Sequence, residues 1–240
     1  LLFDFFRGRF MHAYLAHHTE FLQSRYIQQC NQARSIAVEG VALIVNWQSS
    51  PYQSFFNDIR SQLQTLFGDV FQASEFLHSD IVKMSGGQGG QIHEPMWQAM
   101  SELDLSALRV WFDKQRITLS IDHTVINERG EVQIVFRDNH LLSLMRSQLA
   151  ELESDLPLDD IKEDECPLLS MTVGYFSEID GLTDSQIQMA ENLLGGWIFS
   201  HFHHRFYIQR LELVEFKDES WKQIQLLDSF DSHFRTFTSE

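Results

Sequence analysis

The chain has 240 residues, 43% of them hydrophobic, and a formal net charge of −16. That length can bury a sizeable core in one or two domains, while the acidic balance works against holding a long nucleic acid by its phosphates, which needs a basic surface to displace counterions. Cys30 and Cys166 stand alone, so neither a disulfide framework nor a cysteine zinc site is expected, and no apolar run reaches the roughly 18 residues of a membrane span.

In chain order, the opening Leu1–Arg9 is apolar but broken by Asp4, Arg7 and Arg9, and no signal peptide is expected. Unpaired cysteines and the absence of a targeting pattern predict a cytoplasmic protein. Residues 10–37 follow a helical pattern, with Met11, Leu15, Leu22, Tyr26 and Cys30 near one face. Four prolines and no low-complexity tract leave no obvious linker after it. The expected organisation is an N-terminal helical segment over 1–38 and a single two-lobed domain over 39–240. The run Val41–Trp47 predicts a strand, and Ser49-Ser50-Pro51 leads into a helix carrying Phe56, Ile59, Leu63 and Leu66.

Phe76–Met84 is an apolar strand pattern with His78 and Asp80 on one face and Ser79 on the other. The glycine-rich stretch Ser85–Gln91 lacks the Lys-Ser/Thr ending of a phosphate-binding P-loop and is expected to be a loop or lid. Pro95 can open a helix bearing Met96, Met100, Leu103, Leu108 and Phe112. Arg116–Ile121 and Val132–Phe136, joined through Asn127-Glu128-Arg129-Gly130, predict a hairpin. Leu142, Met145, Leu149 and Leu152 mark a further helix, and eight acids against one lysine between Glu151 and Glu165 predict a solvated connection. A second polar-pair strand follows at Leu168–Phe176, with Ser170 and Thr172 in the places of His78 and Asp80. Thr183 can cap a helix with Ile187, Ala190, Leu194, Trp197 and Ile198 on one face, and two closing strands are expected over 206–216 and 221–227.

Strand, helix and polar-pair strand thus occur twice. Ile44 and Ile134 are 90 residues apart, Ile59-Arg60-Ser61-Gln62-Leu63 and Met145-Arg146-Ser147-Gln148-Leu149 are 86 apart, and His78 and Ser170 are 92 apart. A repeat of this kind predicts two lobes about a pseudo-twofold axis. The alternative is chance recurrence of a common unit. The order and spacing of the elements from Val41 to about Phe230, with the closing hairpin at Leu211–Phe216, resemble the two-histidine phosphoesterases, including the cyclic-phosphodiesterase and RNA-ligase-like members. The resemblance implies an α+β fold of two pseudo-symmetric lobes, their antiparallel sheets around a central cleft into which each lobe brings a His-x-Thr/Ser strand. It also implies opening of a small cyclic phosphate or nucleotide by a pair of imidazoles acting as base and acid, with hydroxyls holding the phosphate and no cofactor or metal.

The sequence departs from that pattern in both halves: His78-Ser79-Asp80 has a carboxylate where the family has a hydroxyl, and Ser170-Met171-Thr172 lacks the histidine. His78 and Thr172 therefore carry over as catalytic candidates, with Asp80, Ser170, Tyr175 and His93 as substrate contacts. His93 and His123 are the candidates to replace the missing imidazole. Three readings of His78 stand side by side: the surviving acid or base of a divergent phosphodiesterase, part of a non-catalytic cleft that binds a nucleotide or a protein partner, or a histidine merely hydrogen-bonded within packing. His201-Phe202-His203-His204 and His17-His18 are expected to be solvated, not metal-ligating, and the five tryptophans to be core.

Overall fold

The computed structural model describes residues 40–85, 105–126, 130–142, 144–145, 169–176, 182–216 and 224–232. The N-terminal helical segment, the glycine-rich loop beyond Ser85, His93, the helix start at Pro95, both cysteines, the acidic stretch, Trp97 and Trp221 lie outside the described residues.

The first strand, β1 (Gly40–Asn46), is buried along its whole length except at Asn46. Its continuous apolar run suits a strand covered on both faces. Helix α1 (Gln53–Phe67) follows, with Phe56, Ile59, Leu63 and Phe67 buried at helical spacing, and Gly68 at φ 56° ends it. A positive φ there costs a glycine little. After a short 3₁₀ turn come β2 (Phe71–Ala73) and β3 (His78–Ser85). The pattern over 76–84 overstates the strand, because Phe76 and Leu77 precede it: the Leu77 carbonyl accepts from the Trp47 and Gln48 amides, closing the β1 end instead of extending a ladder.

Helix α2 (Ser106–Lys114) buries Leu108 and Phe112. The expected hairpin is present as β4 (Thr118–Ile126) and β5 (Glu131–Asp138), with Gly130 at φ 70° before β5. Next are β6 (Leu169–Phe176) and α3 (Asp184–His201). Thr183 caps α3 as expected: its Oγ1 accepts from the Gln186 amide at 3.3 Å and its own amide donates to Gln186 Oε1 at 2.9 Å, a capping box. The single strand expected over 206–216 is divided. The short β7 (Phe206–Tyr207) pairs with β4, whereas β8 (Arg210–Phe216) pairs with β1 in the other sheet. The last strand, β9 (Ile224–Asp231), runs on beyond the expected end at Leu227.

Among the described residues the protein is α+β with two antiparallel sheets, ordered β3-β1-β8-β9 and β2-β6-β5-β4-β7. One large core joins them, drawing on Leu43 and Val45 of β1, Phe56 and Ile59 of α1, Phe136 of β5 and Leu194 of α3. At its centre Trp47 stacks on Phe136 with centroids 5.5 Å apart and meets Phe56 at 5.3 Å and Phe206 at 6.2 Å. This aromatic cluster ties the end of β1 to β5 and β7 of the second sheet. A smaller cluster, Ala42, Ile44, Val214 and Phe216 with Phe76 against it, lies on the opposite face of the first sheet.

Candidate functional site

The ladder of the first sheet sets where His78 and Asp80 point. His78 lies across from Asn46 and Asp80 across from Ile44, so both share the face of the small apolar cluster, away from the main core. Ser79 points the opposite way, where its Oγ accepts from the buried Trp47 indole N–H at 2.8 Å. His78 Nε2 is 3.6 Å from Asp80 Oδ1, with the His78 side chain 13% exposed and that of Asp80 35% exposed. The other ring nitrogen, Nδ1, is 3.3 Å from the Phe76 carbonyl, and the ring stacks on Phe76 at 5.0 Å. A doubly protonated ring would meet an oxygen at each nitrogen.

The same face carries a carboxylate that the two polar pairs do not include. Ile44 lies across from Asp80 on one side and Glu212 on the other. Glu212 is buried, accepting from Asn46 Nδ2 at 2.8 Å and pairing with Arg210 Nε at 3.0 Å. Its signal is present in the chain: a carboxylate between Leu211 and Leu213 sits at an alternate position of a strand pattern, on the face its neighbours avoid. This half of the site thus has one imidazole over an apolar floor flanked by two carboxylates, a poor field for an anion.

The second half is built differently. In β6, Leu169, Met171 and Val173 are buried while Ser170 is exposed and Thr172 is half-buried. Strict alternation would send Tyr175 to the core. The register moves from Thr172 facing Gln133 to Gly174 facing Val132, so Val173 is an extra residue, a β-bulge that restores Tyr175 to the side of Ser170 and Thr172. Gln133 Nε2 lies 3.5 Å from Thr172 Oγ1 and 3.1 Å from Glu131 Oε2. Gly174 is required here, since a Cβ at that position would run into the Phe71 ring and the Gln72 carbonyl. This face offers hydroxyls and a phenol able to donate to an anion, and beside them the Glu131 carboxylate, which holds the Gln133 carboxamide.

A matching bulge lies in β3. Leu43 faces Val82 and Ile44 faces Asp80, leaving Ile81 as the extra residue directly after the polar pair. Strands β3 and β6 pack against each other although they belong to different sheets. His123, on β4, is a third feature of interest: it faces Val135, which in turn faces Ser170. Among the described residues no group of three or more His, Cys, Asp or Glu side chains could hold a metal ion. His201 and His204 instead pack on Phe55, with centroids at 4.7 and 4.9 Å, and His201 Nδ1 is 2.7 Å from the Trp197 carbonyl. Trp47 and Trp197 are core residues, and no helix among the described residues is long and apolar enough to cross a membrane.

No family model matches the chain, and no curated protein matches it. Among solved structures it is similar to the crystal structure of ATU0111, a conserved protein of unknown function from Agrobacterium tumefaciens str. C58, with a TM-score of 0.56 and 10% sequence identity over 80% of this chain and 87% of that one. At this identity the likeness is one of fold.

Proposed function

We propose that the chain is a divergent relative of the two-histidine phosphoesterases, acting in the cytoplasm, whose two pseudo-symmetric lobes form a cleft for a small cyclic phosphate or nucleotide. The observation that carries this reading is the pair of bulges. Ile81 and Val173 stand 92 residues apart, as do His78 and Ser170, and as do Asp80 and Thr172; the partner positions Leu43 and Val132 are 89 apart, as are Ile44 and Gln133. Four of the described ladders carry a bulge, and these two fall at the same step after a polar pair, as bulges do where a side chain must be re-aimed. The strand orders agree with it: β3-β1-β8-β9 has its counterpart in β6-β5-β4-β7, with β2 added beside β6.

In this reading the phosphate rests over β6 at its Ser170 and Thr172 end, where those hydroxyls donate hydrogen bonds with Tyr175 beside them, and keeps away from Asp80, Glu212 and the Glu131 carboxylate opposite Tyr175. His78 is the proton-transfer group of the first lobe, its ring held by the Phe76 carbonyl and the stacked Phe76 side chain with Asp80 3.6 Å away. The test is calorimetry of the purified chain with a panel of 2′,3′-cyclic nucleotides, alongside turnover assays of wild type and His78→Ala. Saturable binding that Thr172→Val weakens by about tenfold, the scale of one lost hydrogen bond to a charged group, is the expected result. Absence of binding across the panel would remove the cleft and leave a packing role for the face; binding without turnover would make the chain a non-catalytic ligand-binding member.

A further inference from the structure

We propose that the N-terminal segment over residues 10–37, which lies outside the described residues, docks as an amphipathic helix on the outer face of the first sheet. The main core lies against the inner face of that sheet, under Leu43 and Val45 of β1 and Leu211 and Leu213 of β8. On the outer face Ala42, Ile44, Val214 and Phe216 are 0–1% exposed, although among the described residues Phe76 is the partly buried apolar side chain packed against them. Side chains in the middle of a sheet face reach that burial only under a second layer. The ladder extends the same face to the β9 edge, where Leu226 lies across from Val214 and Ile224 across from Phe216. Both remain exposed, Leu226 at 51% and Ile224 at 38%, so the apolar surface continues to the edge of the sheet.

Three properties of the chain select the occupant. Position is the first: Gly40 lies across from Phe216, so the segment enters β1 at the apolar end of this face. Length is the second. As a helix the 28 residues would span about 42 Å, against roughly 23 Å for the seven residues of β1, enough to cross the face from end to end. The helical pattern gathers Met11, Leu15, Leu22, Tyr26 and Cys30 near one side, an apolar stripe for an apolar floor. Charge is the third. Of the chain's 18 basic and 34 acidic residues, the first 39 hold four arginines and three acids, leaving 14 against 31 for the rest. The far end of the face is acidic, with Asp80, Glu212 and Asp231 around Arg210 and His78. A segment without net negative charge meets that end freely, whereas the acidic stretch over 151–165 would be repelled.

A helix seated there runs beside His78 and Asp80, which share the face, and so limits how solvent reaches them from that side. Cys30 belongs to the apolar stripe, and its thiol reports the contact in the unaltered chain.

The experiment alkylates the full chain with iodoacetamide and follows Cys30 by peptide mass spectrometry, with circular dichroism and sedimentation in parallel. In the native wild type, Cys30 is expected to react roughly 100-fold or more slowly than in the urea-unfolded chain, as a thiol reached only when its helix lifts away. Leu226→Asp and Ile224→Asp put a carboxylate on the exposed edge of the face, where the sheet itself tolerates it. Each should speed Cys30 alkylation by about tenfold or more, because docking would then bury an unpaired charge. Gln225→Asp, on the neighbouring residue and pointing to the other side of the sheet, should leave the rate unchanged. Cys30 reacting as fast in the native wild type as in urea overturns the docking. Protection that survives both Leu226→Asp and Ile224→Asp in folded protein overturns it too, since Cys30 would then be buried against another surface. Protection lost on dilution, as a dimer dissociates, also overturns it and assigns the face to a second copy of the chain.

Discussion

Ser79 separates the two faces of β3. It is buried beside the polar pair yet belongs to the core, where it accepts the Trp47 indole N–H at 2.8 Å. Ser79→Ala would leave that donor sealed from water without a partner, and a loss of about 1–3 kcal/mol in chemical denaturation is expected. The spacing of His78, Ser79 and Asp80 makes this division legible in the sequence, because a strand alternates whatever surrounds it. Glu191 makes a different point at the same scale. It is buried on α3 and accepts from Gln188 Nε2 at 3.1 Å; burial pushes its carboxyl pKa above the ordinary value. A carboxyl whose folded pKa is raised favours the native state while protonated, and that contribution is lost as pH rises through the unfolded value toward the folded one. Glu191→Gln is therefore expected to raise the denaturation midpoint at pH 7 and to leave it nearly unchanged at pH 4. Equal effects at both pH values would count against the carboxyl being responsible.

Within single elements, the bulges decide what each strand presents. Deleting Val173 would straighten β6 with Tyr175 still beside Thr172 and Phe176 still against Phe67 and Phe71 at 5.1 and 5.6 Å, so the loss is that of the buried Val173 side chain and of the bend the bulge gives the strand. A destabilisation on the order of 3 kcal/mol is expected in urea denaturation, well above a typical surface change. Gly174→Ala should cost about 1–3 kcal/mol, because the added methyl meets the Phe71 ring and backbone with no room to give. The start of α3 is written locally in the chain: Thr183 with Gln186 three residues on is a capping box, and Thr183→Ala should lose about 1 kcal/mol. The bulges have no such local signature. An extra residue in a strand has no fixed composition, and only the partner strand's register reveals it, which is why Tyr175 on the side of Ser170 follows from the ladder and not from alternation.

For the whole molecule, the division of 206–216 between sheets is the largest departure from the sequence pattern. Phe206 pairs in one sheet and Arg210–Phe216 in the other, with Ile208 anchored by its amide to the Ile117 carbonyl at 3.1 Å. The strand pattern runs on across that switch with no glycine or proline to mark it. Both sheets share one core through Trp47, Phe136 and Phe206, so a single cooperative transition is expected. The fluorescence of the tryptophans and the far-UV circular dichroism should give coincident midpoints. Separate midpoints would mean that the sheets unfold independently.

The sequence by itself determined the local elements and their faces: apolar periods of two and 3.6, a helix cap, a hairpin turn and two polar pairs on strands. Those signals are local because backbone geometry and capping act over a few residues. The tertiary structure alone decided which strands share a sheet, where the ladders slip by one residue, and that Glu212 joins the face of His78 while His123 lines up with Ser170. Pairing partners are far apart in the chain, and their registers are fixed by packing against a common core, which no short stretch of sequence encodes.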